Sequence, residues 1–317
     1  MRKKHRKKCY IWLITIITMF FTLYLGAGYY FYQVAFVPGH KSFLKKHKAL
    51  SKSDPLYKEK LWYLNSKKQQ YSIKSADNKF RLVANYLPAS SKSFKTVVIL
   101  HGYMGNKDKM GQYAALFHQL GYNVLLPDAR SHGASQGNFI GYGWPERNDV
   151  KKWSQYIIKR QGSNSKIVIF GLSMGAATAM MTSGEKLPTQ VKAIIEDCGY
   201  TSIEDELNYE ANKLYKLPSM VEVPIVKLLS LSVKMKYGYF LSEGNCIKQL
   251  KKNHRPFLFI HGEKDKFVPM HMVYKNYQAC RGPKELWVTK NAAHAESFPK
   301  HPKIYKNKIA QFLNKYV

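Results

Sequence analysis

From residue 69 onward, short apolar runs alternate with longer stretches whose apolar residues recur every three or four positions. QYSIKS (70–75) and FRLVANYL (80–87) alternate in polarity around Asp77-Asn78, which predicts a β-hairpin. Six further runs are almost continuously apolar: TVVILHG (96–102), YNVLLPD (122–128), KIVIFG (166–171), VKAIIED (191–197), PFLFIHG (256–262) and ELWVTKN (285–291). Between them lie amphipathic segments such as KMGQYAALFHQLG and ERNDVKKWSQYIIKR. Strands that lack alternation are buried on both faces. The pattern therefore predicts an α/β fold with a mostly parallel central sheet flanked by helices.

The N-terminus follows another rule. MRKKHRKK carries six Lys/Arg, and the 23 residues from Tyr10 to Tyr32 include no side chain ionised at neutral pH. As a helix this run measures about 35 Å, enough to cross a ~30 Å hydrocarbon core. Trp12, Tyr29, Tyr30 and Tyr32 sit near its ends, where interfacial aromatics are favoured. A cleaved signal peptide is the alternative, with Gly26 and Gly28 near a cleavage site, but its apolar region is usually only ~7–15 residues long. The expected organisation is a basic cytoplasmic tail (1–9), a transmembrane signal-anchor (10–32), a connector (33–68) and a folded α/β domain (69–317). The basic tail stays in the cytoplasm, so the domain is expected on the extracellular side of the cell membrane. Within the connector, Asp54-Pro55 reads as a cap and first-turn proline for a short helix through Leu64.

Composition narrows the choice of function. The 317 residues are 45% hydrophobic and 14% aromatic, enough for a sizeable core. Four scattered cysteines form no CxxC pair, which excludes a zinc ribbon and a thioredoxin-like site. The net charge of +31 is carried overwhelmingly by lysine. Nucleic-acid readers lean on arginine, and neither a basic-aromatic motif nor zinc-finger spacing occurs, so no nucleic-acid partner is expected. Anionic lipid, an anionic envelope polymer or a plain solvated surface are the remaining readings of the charge. GYGW (141–144) lacks the spacing of a dinucleotide loop, and neither a cofactor nor a metal is expected.

The strongest chemical signal is IVIFGLSMGAATAMM. Gly171-Leu172-Ser173-Met174-Gly175 fits GxSxG between a buried strand and a helix of small residues, the setting in which a sharp turn presents a nucleophilic serine. A glycine-rich turn used only for close packing is the bland alternative. With ILHGYMGN (99–106), LLPDARSHGASQG (125–137), GLSMGAAT (171–178) and HGEKDKFVP (261–269) followed by His294, residues 69–317 resemble the α/β-hydrolase superfamily. The set is most similar to bacterial serine hydrolases of the esterase and serine-aminopeptidase-like branch.

That resemblance implies the chain order Ser, acid, His. It places the base at His294 and the acid at Asp265, with Asp197, at the end of VKAIIED, as rival acid. Asp128, His101, His132 and His261 read as structural. Oxyanion donors are expected from the backbone N–H groups of Met174 and, by resemblance, Tyr103. The implied activity is serine hydrolysis of carboxylic esters or related acyl bonds, on a small acyl ester or lipid-like substrate. A peptidase or thioesterase of the same fold, and a non-catalytic binding protein using its basic face, remain alternatives. Residues 200–250 exceed a simple crossover and are expected to form a small helical lid. One helix would carry Ile203, Leu207, Ala211 and Leu214. A second, starting at Pro224, would turn Ile225, Leu228, Leu229 and Met235 to one side, with Leu228 and Leu229 as substrate contacts.

Overall fold

The computed structural model describes residues 2–39, 41 and 50–317; residues 40 and 42–49 of the expected connector lie outside the described residues. Among the described residues eight strands are formed: β1 (Gln69–Lys74), β2 (Arg81–Leu87), β3 (Lys95–Leu100), β4 (Asn123–Pro127), β5 (Lys166–Leu172), β6 (Val191–Asp197), β7 (Phe257–Gly262) and β8 (Lys284–Thr289). The α-helices are α1 (Arg2–Phe36), α2 (Tyr57–Asn65), α3 (Gly111–Gln119), α4 (Glu146–Gln161), α5 (Met174–Ser183), α6 (Ile203–Tyr215), α7 (Ser219–Tyr237), α8 (Cys246–Leu250), α9 (His271–Ala279), α10 (Ser297–Lys300) and α11 (Pro302–Tyr316). The chain divides into two compact units. A helical unit contains α1 and Leu207–Leu241; a sheet unit contains Pro38–Glu206 and Ser242–Val317.

In the sheet unit the strand order is β1-β2-β4-β3-β5-β6-β7-β8. β2 runs antiparallel to both β1 and β4, and every pair from β4 through β8 is parallel. Each apolar run read from the sequence became a strand. Val97, Ile99, Val124, Leu126, Val168, Phe170, Leu258 and Ile260 share a core with Tyr113, Phe117, Tyr305, Ile309 and Phe312 from α3 and α11. The alternate residues Val98, Leu125, Ile167, Ile169, Phe257 and Phe259 are also buried. They point to the other face, where α4, α5, α8 and α9 pack. β3 has β4 on one side and β5 on the other, so the winding reverses there. Such a reversal opens a crevice at the carboxyl ends of the strands.

The loop after β4 is built on ion pairs. Asp128 is fully buried and accepts from the Lys107 N–H at 2.7 Å, the Lys107 ammonium at 2.7 Å and the Ala134 N–H at 2.8 Å. Arg130 pairs with Asp149 at 2.5 Å and Asp77 at 2.8 Å. Asp128 is therefore structural, as its sequence context suggests.

The helical unit is held by tyrosines. The Tyr24 hydroxyl donates to the Pro224 carbonyl at 2.6 Å, Tyr32 and Tyr237 share a hydroxyl hydrogen bond at 2.9 Å, and the Phe31 and Tyr215 rings meet edge-on at 4.9 Å. Two expected helix starts shift. α2 begins at Tyr57, because Asp54 caps the Leu56 N–H from within a preceding turn. α7 begins at Ser219 after Pro218, which leaves Pro224 inside the helix. Ile225 and Leu229 share a buried side of α7, whereas Met235, expected on the same side, is 73% exposed.

Removing one member of a buried ion pair leaves its partner charged and dry. Asp128→Ala should lower stability by about 3–5 kcal/mol, measured by denaturant unfolding of the folded domain.

Candidate active site

Ser173 joins β5 to α5 with φ +56° and ψ −117°, a backbone that residues with side chains rarely adopt. Its own N–H donates to the Asp197 carbonyl at 2.8 Å, and its carbonyl accepts from the Ala177 N–H at 3.0 Å. The two glycines of GxSxG make this turn possible. A Cβ on Gly171 would strike the Gly175 carbonyl, and a Cβ on Gly175 would strike the Leu100 carbonyl at the end of β3. The serine is thereby presented at the carboxyl edge of the sheet, beside the reversal in winding.

The loops after β7 and β8 end at the same edge. His294 Nε2 lies 2.9 Å from Ser173 Oγ, and His294 Nδ1 lies 2.8 Å from Asp265 Oδ2. The Asp265 side chain is fully buried, and its Oδ1 accepts from the Phe267 and Val268 N–H groups at 2.8 and 2.9 Å. With the imidazole proton donated to Asp265, Nε2 is left to accept the serine hydroxyl proton. The arrangement can raise the nucleophilicity of Ser173 and hold the resulting imidazolium beside a carboxylate.

Asp197 is placed differently. Its Oδ2 accepts from the Tyr305 hydroxyl of α11 at 2.9 Å. Burial raises its carboxyl to about 7, the Asp265 charge adds to that rise, and the Tyr305 hydrogen bond and His294 oppose it. Cys198, Asp265 and His294 bring three potential metal donors within 4.8 Å of one another. Burial pushes the Cys198 thiol well up, and both His294 nitrogens already face hydrogen-bond partners. These donors suit proton handling rather than metal binding.

Met174 opens α5, where a first-turn N–H has no carbonyl within its own helix. The loop after β3 approaches Ser173 closely, since a Cβ on Gly102 would lie 3.3 Å from the Ser173 Cβ. Two histidines fix that loop. His101 Nδ1 donates to the Gly102 carbonyl and its Nε2 accepts from the Ala129 N–H; His132 Nε2 accepts from the Met104 N–H. Burial lowers His101 to about 4 and His132 to about 3, so both stay neutral near pH 7. The Tyr103 ring stacks on Tyr142 at 5.4 Å, so its side chain also helps to set the loop. Leu228 and Leu229 belong to α7 of the helical unit, Leu229 buried and Leu228 beside Gly28 of α1.

Comparison with known proteins points the same way. The family model for serine aminopeptidases, S33, matches residues 91–228. The chain is 31% identical over 232 residues to an uncharacterised Bacillus subtilis protein, YqkD, spanning 73% of this chain and 75% of that one. The chain belongs to the α/β-hydrolases. An uncharacterised Saccharomyces cerevisiae membrane protein, YNL320W, is 24% identical, with 60% of this chain and 61% of that one covered. The Pyrococcus furiosus esterase Pf2001 shares the fold with a TM-score of 0.63 at 24% identity, covering 80% of this chain and 92% of that one.

The sequence of this hydrolase marks His261 as structural without naming its partners, and it holds no sign of the Tyr103–Tyr142 stack. His261 lies 3.4 Å from Asp265 Oδ2 and donates to the Val268 carbonyl at 2.9 Å, bracing the acidic loop from below. The only local signal was its HG pair at a strand end. The Tyr103–Tyr142 stack joins residues far apart in the chain and left no periodic trace.

Gly175→Val should cost about 3 kcal/mol, because the obstructing atom is backbone and cannot rotate away; chemical denaturation measures it. Asp197 has a raised carboxyl in the folded state and an ordinary value of 3.8 when unfolded, so ionising it opposes folding as pH rises from about 4 to about 7. Thermal unfolding should therefore show Asp197→Asn gaining on the parent across that interval. Equal pH dependence in the two would refute the assignment.

Proposed function

We propose that this α/β-hydrolase is a serine hydrolase of carboxylic esters or related acyl bonds, with Ser173 as nucleophile, His294 as base and Asp265 as its orienting carboxylate. The observation that carries the reading is the continuous path from Ser173 Oγ to His294 Nε2 at 2.9 Å and from His294 Nδ1 to Asp265 at 2.8 Å. The Pyrococcus furiosus neighbour is itself named an esterase, in agreement with this chemistry.

In this mechanism Ser173 Oγ attacks the acyl carbonyl as its proton passes to His294 Nε2. The tetrahedral oxyanion receives hydrogen bonds from the backbone N–H groups of Met174 and Tyr103, each worth a few kcal/mol of barrier. Collapse breaks the acyl–oxygen bond, and the imidazolium protonates the departing alcohol. Water then gives a proton to His294 and attacks the acyl-enzyme; collapse returns that proton to Ser173 and releases the acid. Asp265 remains ionised throughout and stabilises the imidazolium.

We further propose that α1 is an uncleaved anchor and that the catalytic domain lies outside the cell. The helix has a 27-residue apolar stretch, Tyr10–Phe36, long enough to cross a membrane. Within it Thr15, Thr18 and Thr22 donate to carbonyls one turn back, so their hydroxyls need no water. The basic residues before Tyr10 favour a cytoplasmic N-terminus.

In full-length protein in detergent, fluorophosphonate labelling and aryl-ester turnover should vanish in Ser173→Ala. Asp265→Asn should lose about 10⁴-fold in kcat, whereas Asp197→Asn keeps most of it. Persistent labelling of Ser173→Ala would overturn the mechanism. Protease added to intact cells should remove the domain; full protection would reverse the topology.

A further inference from the structure

The helical unit carries an apolar surface that the reaction does not explain. Along α7, Met220, Pro224, Lys227, Leu231 and Met235 recur on one exposed side, with Val221 next to them. Met220 is 82% exposed and Met235 73%, values unusual for large apolar side chains facing water. The opposite side of the helix buries Ile225, Leu229 and Val233, and it also buries Glu222.

The place where α7 meets α1 indicates what covers this surface. Contacts advance together along both helices: Tyr24 with Pro224, Gly28 with Leu228, Tyr32 with Tyr237. If Tyr10 marks one edge of the hydrocarbon core, Tyr24 lies about 21 Å and Gly28 about 27 Å across it, both within a ~30 Å slab. Tyr32 falls at the opposite interface. The contacts are also of the kind that hold helices together in lipid. A Cβ on Gly28 would strike the Leu228 side chain, so a small residue lets the helices close. The Tyr24 hydroxyl is satisfied by a carbonyl of the partner helix, where no water could serve it. Outward from there the exposed side turns basic, with Lys234 and Lys236 exposed and the Lys236 ammonium 4.6 Å over the Tyr32 ring.

We propose that the exposed side of α7 is embedded in the bilayer leaflet into which the C-terminal half of α1 runs. Met220, Val221 and Leu231 face acyl chains there, and Lys234 and Lys236 face anionic headgroups. This rests on the reading of α1 as an uncleaved anchor. The hydrolase is then held to the membrane by a pair of helices far apart in its sequence, and α7 of the insertion lies in the same phase as a lipid-like substrate. Lys227, midway along the stripe, reaches the headgroups by extending its aliphatic stem.

Quenching in vesicles tests this directly. The full chain carrying Cys9→Ser is reconstituted in vesicles of 70% phosphatidylcholine and 30% phosphatidylglycerol; Cys198, Cys246 and Cys280 are buried and remain. An environment-sensitive fluorophore is attached to Met220→Cys or Leu231→Cys, to Ile17→Cys in α1, and to Lys315→Cys, whose side chain is 62% exposed in the sheet unit. Labels at Met220 and Leu231 should be quenched by doxyl-labelled lipid to within about twofold of the label at Ile17. Quenching by aqueous iodide should be at least fivefold weaker there than at Lys315. Iodide quenching at Met220 and Leu231 equal to that at Lys315, with Ile17 still lipid-quenched, would overturn this inference and leave the anchor intact. Loss of lipid quenching at Ile17 would instead overturn the anchor itself. Protection of Met220 and Leu231 from both quenchers would mean a protein partner, such as a second copy, and would equally refute the proposal.

Discussion

The backbone of Ser173 is the constraint on which the rest of the site depends. Holding a residue with a side chain at φ +56° and ψ −117° costs of order 1–3 kcal/mol, so the surroundings must impose it. They do so from three directions. Asp197 at the end of β6 accepts its N–H, the first turn of α5 engages its carbonyl, and the backbones flanking Gly171 and Gly175 leave no other path. Relaxing the turn into an ordinary conformation would swing Oγ away from His294. The position of one hydroxyl thus rests on the packing of β3, β5, β6 and α5 together.

Around that hydroxyl the protein keeps its titratable groups neutral or paired, in contrast to its lysine-rich sequence. His101 and His132 serve as uncharged clasps between main-chain groups, because burial makes their protonation unfavourable. Lys107 and Arg130 are buried basic residues of the same region, and each is matched to a carboxylate. The field at Ser173 is therefore set by fixed local partners, while the net charge of +31 acts at long range on whatever approaches the surface.

The fold was legible because its signals are local. Strands buried on both faces must be written as apolar runs, and a GxSxG turn announces itself within five residues. Helix starts were harder to read. Asp54-Pro55 and Pro224 both carry the proline expected in a first turn, but at Asp54 the chain makes another turn first, and Pro224 sits in a helix already begun at Ser219. The meeting of Ser173, Asp265 and His294 depends on the lateral order of β5, β6, β7 and β8, which no periodicity encodes. The family resemblance supplied only the chain order Ser, acid, His and the candidate positions of the three residues. Nothing in the sequence brought α1 to α7, because their contact joins Tyr24 to Pro224, 200 positions apart.

Chain order has a consequence for biosynthesis. The segment bearing Ser173 is made well before those bearing Asp265 and His294, and Tyr305, which ties Asp197 to α11, comes later still. A ribosome delivers these parts N-terminus first, so most of the domain exists before its hydroxyl has a proton acceptor. An interrupted or truncated product that lacks the last strand and helices carries Ser173 without the imidazole of His294 beside it. In such copies the hydrogen-bonded path from Ser173 to Asp265 is missing, and it closes only once His294 has been made.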